Sequence, residues 1–342
     1  MPKNPQEEFI DLFHTDKKKF LNLIKTLQSK SFLFGNNKNV NTIAQIYSDA
    51  HRISIPEDIK NIKVEGRYFL CKENITGEKI VVDGPDFLYK LNQEGFRSKD
   101  FLEFDKDKNN ILFAGCSITF GQGLPEDLVW PQALISRLES NNPKEIFDSY
   151  NIGLSGVGIF TICKNILAFI ESVGIPDKIF VLFPNISRGF TYSDDRSDFV
   201  HSDINYNKNL DSFDYKYLKG YQHMEQVLTV VTLINSLETI CQSLNIDLMW
   251  STWEFDANTL FNELNFKNFV TFKESPWEKY MSPFEFHKKR ESVEEILQKY
   301  NKNSLPYWTS ARDGHPGSYF MQTVADNFLK EIKNEDINIH KE

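Results

Sequence analysis

The chain is poor in cysteine. Its four, Cys71, Cys116, Cys163 and Cys241, lie far apart, and none belongs to a C-x-x-C pair. That spacing excludes a disulfide-stapled miniature fold and matches no zinc-ligand pattern, so no metal site is expected. Reduced thiols in a cytosolic compartment are the expectation. Long apolar runs are lacking as well. None approaches the ~20 residues that cross a bilayer. The opening stretch MPKNPQEEFIDLF has no apolar core of signal-peptide length. The reading is therefore cytoplasmic, with no membrane insertion. Positive charge is in deficit: 39 Lys and Arg stand against 48 Asp and Glu, for a net charge of −9. A chain without a basic field is not expected to bind nucleic acid in general. Internal repeats and low-complexity tracts are also missing, which excludes solenoids and linker-like proteins.

What is present is the composition of a globular protein, 40% hydrophobic and 25% charged over 342 residues, with 29 Phe. That length can bury one large core or two smaller ones. Three zones follow from the patterning. Residues 1 to about 50 read as helical, with Phe9, Ile10, Phe13, Phe20, Leu21, Leu23 and Ile24 at helix-like spacing. Residues ~60–107 read as short strands and turns, among them RYFLC and KIVVDG. Together, 1–107 form an N-terminal helical and short-strand extension. From 108 to 335 strands and helices alternate. NNILFAG, EIFDSYNIG, DKIFVLFPN and IDLMWST are the strands. DLVWPQALISRLES, GIFTICKNILAFIES, YQHMEQVLTVVTLINSLETICQSLN and SYFMQTVADNFLKEI are the helices. In the third helix Met224, Val227, Val231, Ile234 and Leu237 form the expected buried stripe. Two insertions interrupt the alternation, a polar loop at ~186–220 and an aromatic-rich segment at ~253–306. Strand–helix alternation implies crossover connections and a parallel sheet covered on both faces. Ligands of such sheets bind beyond the carboxyl ends of the strands.

Four polar constellations fall at those ends. Gly115-Cys116-Ser117 follows the first strand, Gly153-Leu154-Ser155-Gly156 the second, and Pro184-Asn185 the third. Asp313-Gly314-His315-Pro316 precedes the last helix. These residue types suit acyl transfer. Ser117 offers a hydroxyl nucleophile, and His315 a base that takes its proton and returns it to the leaving group. The backbone N–H groups of Ser117 and Gly156, with the Asn185 carboxamide, are the candidate oxyanion donors.

At these residues the chain resembles a family, the SGNH (GDSL-type) serine hydrolases. Gly115-Cys116-Ser117-Ile118-Thr119-Phe120-Gly121 resembles its first block, with Trp130-Pro131 as a companion. Asn151-Ile152-Gly153-Leu154-Ser155-Gly156 resembles the second, Asn185 the third, and His315-Pro316 the last. NQEGFRSKDF is similar to the lead-in of some members. The resemblance covers ~108–335. It implies a flavodoxin-like three-layer α/β/α sandwich and a serine esterase acting on acyl esters, O-acetyl groups of carbohydrates or lipids among them. No cofactor or metal is implied, and the partner is a small-molecule or glycan ester. The chain departs from the pattern in three places. Cys116 stands where the family name implies Asp, and Pro-Asn-Ile replaces the usual surroundings of the asparagine. The family's acid lies three residues before the histidine, where this chain has Arg312; the nearby carboxylate is Asp313, two residues before. Asp313 is thus the candidate to orient His315. The displaced acid also leaves open a catalytically inactive binding module, and the same acyl-enzyme would serve an O-acyltransferase.

Other features have plainer readings. Cys116 is a small buried filler, because neighbouring side chains after a strand point opposite ways. Gly153-x-x-Gly156-x-Gly158 reverses the order of a dinucleotide-binding loop. Asp198 and His201 have the acid–histidine spacing but lie far from the last helix, and the match is read as coincidence. Trp253, Trp277, Tyr280, Phe284, Phe286, Tyr307 and Trp308 form either a lid with a sugar-stacking wall or a small satellite core.

Overall fold

The computed structural model describes residues 32, 65–68, 72–73, 79–80, 87–122, 124–186, 188–193, 198–203, 213–272 and 316–339. In chain order, the strands β1 (Glu65–Tyr68), β2 (Lys72–Glu73), β3 (Lys79–Ile80) and β4 (Phe87–Lys90) form two antiparallel pairs, β1 with β4 and β2 with β3. There follow β5 (Asn109–Gly115), helix α1 (Ser117–Phe120), α2 (Trp130–Asn141), β6 (Phe147–Asn151), α3 (Ile159–Ser172) and β7 (Lys178–Phe183). Next come β8 (Arg188–Ser193), β9 (Asp198–Asp203), α4 (Phe213–Ser243), β10 (Asp247–Thr252), α5 (Phe255–Glu263) and α6 (Ser318–Ile339). The helices expected over residues 1 to about 50 lie outside the described residues, except for Phe32.

Four strands pair in parallel in the order β6-β5-β7-β10. That is the start of the flavodoxin-like order, in which the second strand lies outside the first and the rest follow on the other side. The fifth position is held by a single parallel bridge, Trp250 to Phe269. Trp250 N donates to Asn268 O at 3.0 Å and Val270 N to Trp250 O at 2.8 Å. Side chains alternate across the pleat. Phe113 of β5 and Phe180 of β7 stack side by side on one face. Trp130 of α2 meets Phe113 there, and Phe328 of α6 meets both Trp130 and Phe180. On the other face Tyr150 of β6 packs on Phe169 of α3, and Trp250 Nε1 donates to Glu238 of α4 at 2.8 Å. Helices on both faces make the three-layer α/β/α sandwich. Each large side chain buried this way contributes about 2–3 kcal/mol of transfer free energy.

Several local expectations change. Asp127 does not lie in α2 but in a separate 3-10 turn, Glu126–Leu128. Pro131 has no N–H to donate to the Asp127 carbonyl, so the helix cannot extend back through it. The polar stretch ~186–220 is not simply a loop: β8 and β9 pair antiparallel within it, and α4 already begins at Phe213. Its polar composition hides two short runs, RGFTYS and DFVHSD, that carry aromatic and β-branched residues. On α4 the buried stripe is Val230, Ile234, Leu237 and Cys241, whereas Met224 is 60% exposed. At 31 residues the helix is about 46 Å long and the strands beneath it about 20 Å, so its first turns run past the sheet.

Part of the extension belongs to the same core. Phe96 and Phe101 are buried, and Phe32 packs on both with ring centroids 5.1 and 5.4 Å away. Phe101 also meets Tyr150 and Phe169. Within the second insertion, α5 and Phe269 pack around Trp250, and Trp253 joins the core. Trp277, Tyr280, Phe284, Phe286, Tyr307 and Trp308 lie outside the described residues. Among the described residues no helix is long and apolar enough to cross a membrane.

Candidate active site

Because β5, β6, β7 and β10 are parallel, the segments that follow them emerge at one edge of the sheet. Ser117 is the first residue of α1, two residues beyond the end of β5, and is 3% exposed. Its Oγ lies 3.9 Å from the thiol sulfur of Cys116. Cys116 itself is fully buried and caps α1 in an extended conformation. The thiol thus packs inward, as a small core residue does. The Ser117 carbonyl accepts from the N–H groups of both Gly121 and Gln122, which closes α1 after one turn.

The loops after β5 and β6 are stapled together. Asn151 Nδ2 donates to Thr119 O at 2.8 Å, and its Oδ1 accepts from Gly153 N at 2.9 Å. Leu154 N donates to Gly115 O at 3.2 Å, and Ser155 Oγ hydrogen-bonds Gln122 Oε1. At Gly153 a Cβ would come within 2.5 Å of Phe120 N, so only glycine lets the second loop approach α1 this closely. Gly156 is different. Its φ is +76°, a left-handed conformation that favours glycine, and among the described residues nothing lies within 4 Å of where its Cβ would be. Gly156 directly follows Ser155, whose hydroxyl ties this loop to Gln122 at the end of the Ser117 turn.

Asn185 follows β7 after Pro184, and its Nδ2 donates to the carboxylate of Glu254. Glu254 follows β10, so the contact joins the third and fourth strand ends. Its own N–H donates to Thr252 Oγ1 at 3.3 Å, and that hydroxyl donates to Phe183 O at 3.1 Å. Ser117, Gly156 and Asn185 thus share the carboxyl edge of the sheet. His315 and Asp313 lie outside the described residues, as does Arg312. The first described residue after them is Pro316, two before α6 begins at Ser318. Asp198 and His201 lie within β9, paired with Ser193 and Phe190.

Glu254 was not singled out from the sequence. The signal was present: it comes two residues after the fourth strand, where the rule of strand carboxyl ends applies as it does to the other three. Arg97, in the lead-in NQEGFRSKDF, was missed too. Its buried Nη1 donates to Phe120 O at 3.2 Å and Gly121 O at 2.9 Å, capping the end of α1. Ser98 Oγ accepts from Asn151 N at 3.2 Å. The lead-in therefore braces both the Ser117 turn and the second loop. Cys163 and Cys241 serve packing: burial pushes both thiols up to about 12, which keeps them protonated and inert at neutral pH. Among the described residues, no group of three or more His, Cys, Asp or Glu is placed to hold a metal ion.

No protein-family model and no curated protein sequence matches the chain. Solved structures do resemble it. The psychrotrophic esterase EstA from Pseudoalteromonas is 12% identical, with a TM-score of 0.36 over 66% of this chain and 98% of its own. A catalytic mutant of an acetylxylan esterase from Geobacillus stearothermophilus is 18% identical, with a TM-score of 0.33 over 66% of this chain and 94% of its own. A member of the lipolytic G-D-S-L family from Veillonella parvula is 13% identical, with a TM-score of 0.25 over 65% of this chain and 96% of its own. All three likenesses are distant.

Proposed function

We propose that the protein is a serine esterase that hydrolyses acyl esters, O-acetyl esters of a carbohydrate among them, through an acyl-enzyme on Ser117. The observation that carries this reading is the gathering of Ser117, Gly156 and Asn185 at the carboxyl edge of one parallel sheet. In the proposed reaction, Ser117 Oγ attacks the ester carbonyl while His315 takes its proton. The N–H groups of Ser117 and Gly156 and the Asn185 amide stabilise the oxyanion. Collapse breaks the bond to the alcohol, which leaves with the proton from His315. Water then attacks the acyl-enzyme with the same base and frees the acid. Asp313 is assigned to hold the far ring nitrogen of His315 in the tautomer that faces Ser117.

A second reading, a binding module that keeps the pocket without turnover, is favoured by Arg312 at the family's acid position. Arginine offers only donors and cannot orient the histidine. One experiment separates the two. Labelling with a serine-directed phosphonate, located by mass spectrometry, is expected at Ser117. Turnover of a short-chain acyl ester is expected to vanish in Ser117→Ala and in His315→Ala while both stay folded. No label on Ser117 and no turnover in the wild type would leave the binding module. Acyl transfer to an added sugar hydroxyl outrunning hydrolysis would make the protein an O-acyltransferase.

A further inference from the structure

We infer that Arg188 forms an anion-binding subsite beside the oxyanion position, so that the favoured ester carries a carboxylate or phosphate close to its acyl group. The position of this subsite relative to the chemistry rests on the esterase reading above. Arg188 sits one turn beyond Asn185, and its N–H donates to the Asn185 carbonyl at 3.2 Å. Its own carbonyl lies against Gly158, two residues past Gly156; a Cβ there would come within 2.5 Å of it. Its guanidinium lies over the ring of Trp253, with Cζ 5.6 Å from the centroid. The segments after β6 and β7 thus hold the Arg188 backbone at the sheet edge, and Trp253 after β10 holds its guanidinium.

The guanidinium is nonetheless incomplete. Nη1 of Arg188 is buried and has no hydrogen-bond partner among the described residues. The ion pairs formed by described residues, Lys99 and Lys108 with Asp148, Arg137 with Asp326 and Lys178 with Asp247, do not include it. The neighbouring carboxylate, Glu254, accepts from the Asn185 amide. A buried cationic donor without an acceptor is costly, and an anionic oxygen is the partner that completes it. The indole face beneath holds the guanidinium plane and shields it from water, which strengthens its pairing with an anion. A neutral ester would leave Nη1 as it is; an ester bearing a carboxylate or phosphate would satisfy it.

The test compares three acetyl esters: an acetylated methyl glucuronoside, an acetylated methyl glucoside and an acetylated glucose 6-phosphate. In the wild type, kcat/KM for at least one charged ester is expected to exceed that for the glucoside by about tenfold or more. That ratio should collapse in Arg188→Gln and return in part in Arg188→Lys, and added salt should lower it. Which charged ester is preferred tells carboxylate from phosphate. Equal wild-type kcat/KM for all three, or a ratio unmoved by Arg188→Gln, overturns the inference. Phosphonate labelling of Ser117 keeps the two readings apart. A labelled Ser117 with no charge preference sinks the subsite and spares the esterase. If no label forms and no ester turns over, calorimetry with methyl glucuronoside, glucose 6-phosphate and methyl glucoside decides. Binding of a charged ligand that weakens about tenfold in Arg188→Gln upholds the subsite; binding no tighter than the glucoside's overturns it. Should Arg188→Gln fail to fold, the wild-type comparison of charged and neutral ligands decides alone.

Discussion

At the residue scale, the Asn185–Glu254 contact has a consequence for the chemistry. A carboxamide has two N–H bonds, and Glu254 takes one of them. In the proposed reaction the carboxamide serves the oxyanion in an orientation set by that carboxylate. On the proposed mechanism Glu254 would be a positioning residue, acting through Asn185 rather than on the substrate. Asn185→Ala is expected to lower kcat by about 10²-fold with a smaller change in KM, as for loss of one oxyanion donor. Glu254→Ala should lower kcat in the same direction but by less, and Glu254→Gln should recover most of the loss, since its amide oxygen still accepts. Steady-state kinetics on one short-chain ester check all three. A KM effect without a kcat effect would make Asn185 a ground-state binder.

At the element scale, α1 is a single turn, too short to hold itself up. Its neighbours hold it: Trp130 Nε1 donates to Thr119 Oγ1 at 3.3 Å, and Arg97 reaches the carbonyls of Phe120 and Gly121. Arg97→Ala leaves those buried acceptors without their charged donor, at a cost of about 3 kcal/mol. A lower melting temperature is expected, together with a fall in kcat from the loosened Ser117 turn; a variant with wild-type melting and turnover would remove the lead-in from this role. The start of β6 carries a second tie. Lys99 and Lys108 meet Asp148 at 2.8 and 3.3 Å. Burial raises the Asp148 carboxyl, but the hydrogen bonds and charge of the two lysines outweigh it and hold it below its ordinary value. A carboxyl depressed on folding stabilises above its unfolded value of about 4 and loses that contribution as the pH falls through the folded value. Asp148→Asn should therefore melt below wild type at pH 7, by about 1 kcal/mol, and the gap should close below about pH 4. Thermal melts across that range measure it.

At the scale of the whole molecule, most buried hydrophobic residues among those described belong to a cluster that runs from Phe32 through the sheet to Phe328. Phe32 has Phe96 and Phe101 as ring partners, and Phe101 in turn touches Tyr150 and Phe169. Phe32 is thereby tied to the same core that carries the candidate site. Phe32→Ala should open a cavity there and cost about 3 kcal/mol. It should lower the melting temperature of the whole α/β unit in one transition. An unchanged main transition, with only a separate early one affected, would mean that the extension melts independently.

Much of this was determined by the sequence alone. The four parallel strands, their covering helices and the ends at which Ser117, Gly156 and Asn185 fall were legible, because apolar strand runs alternating with 3.6-period helices admit few arrangements. Local chemistry also marked the glycines at those ends. The tertiary structure decided what depends on contacts between distant segments. That Asn185 meets Glu254 needs β7 and β10 side by side, and that Arg97 caps α1 needs the lead-in folded back over it. That Val230 rather than Met224 faces the core depends on where the sheet ends beneath α4. That RGFTYS and DFVHSD pair as strands depends on a register no single run encodes. A propensity belongs to a residue and its neighbours in the chain, whereas a hydrogen bond across sixty-nine residues, like that of Asn185 with Glu254, exists only once the fold has closed.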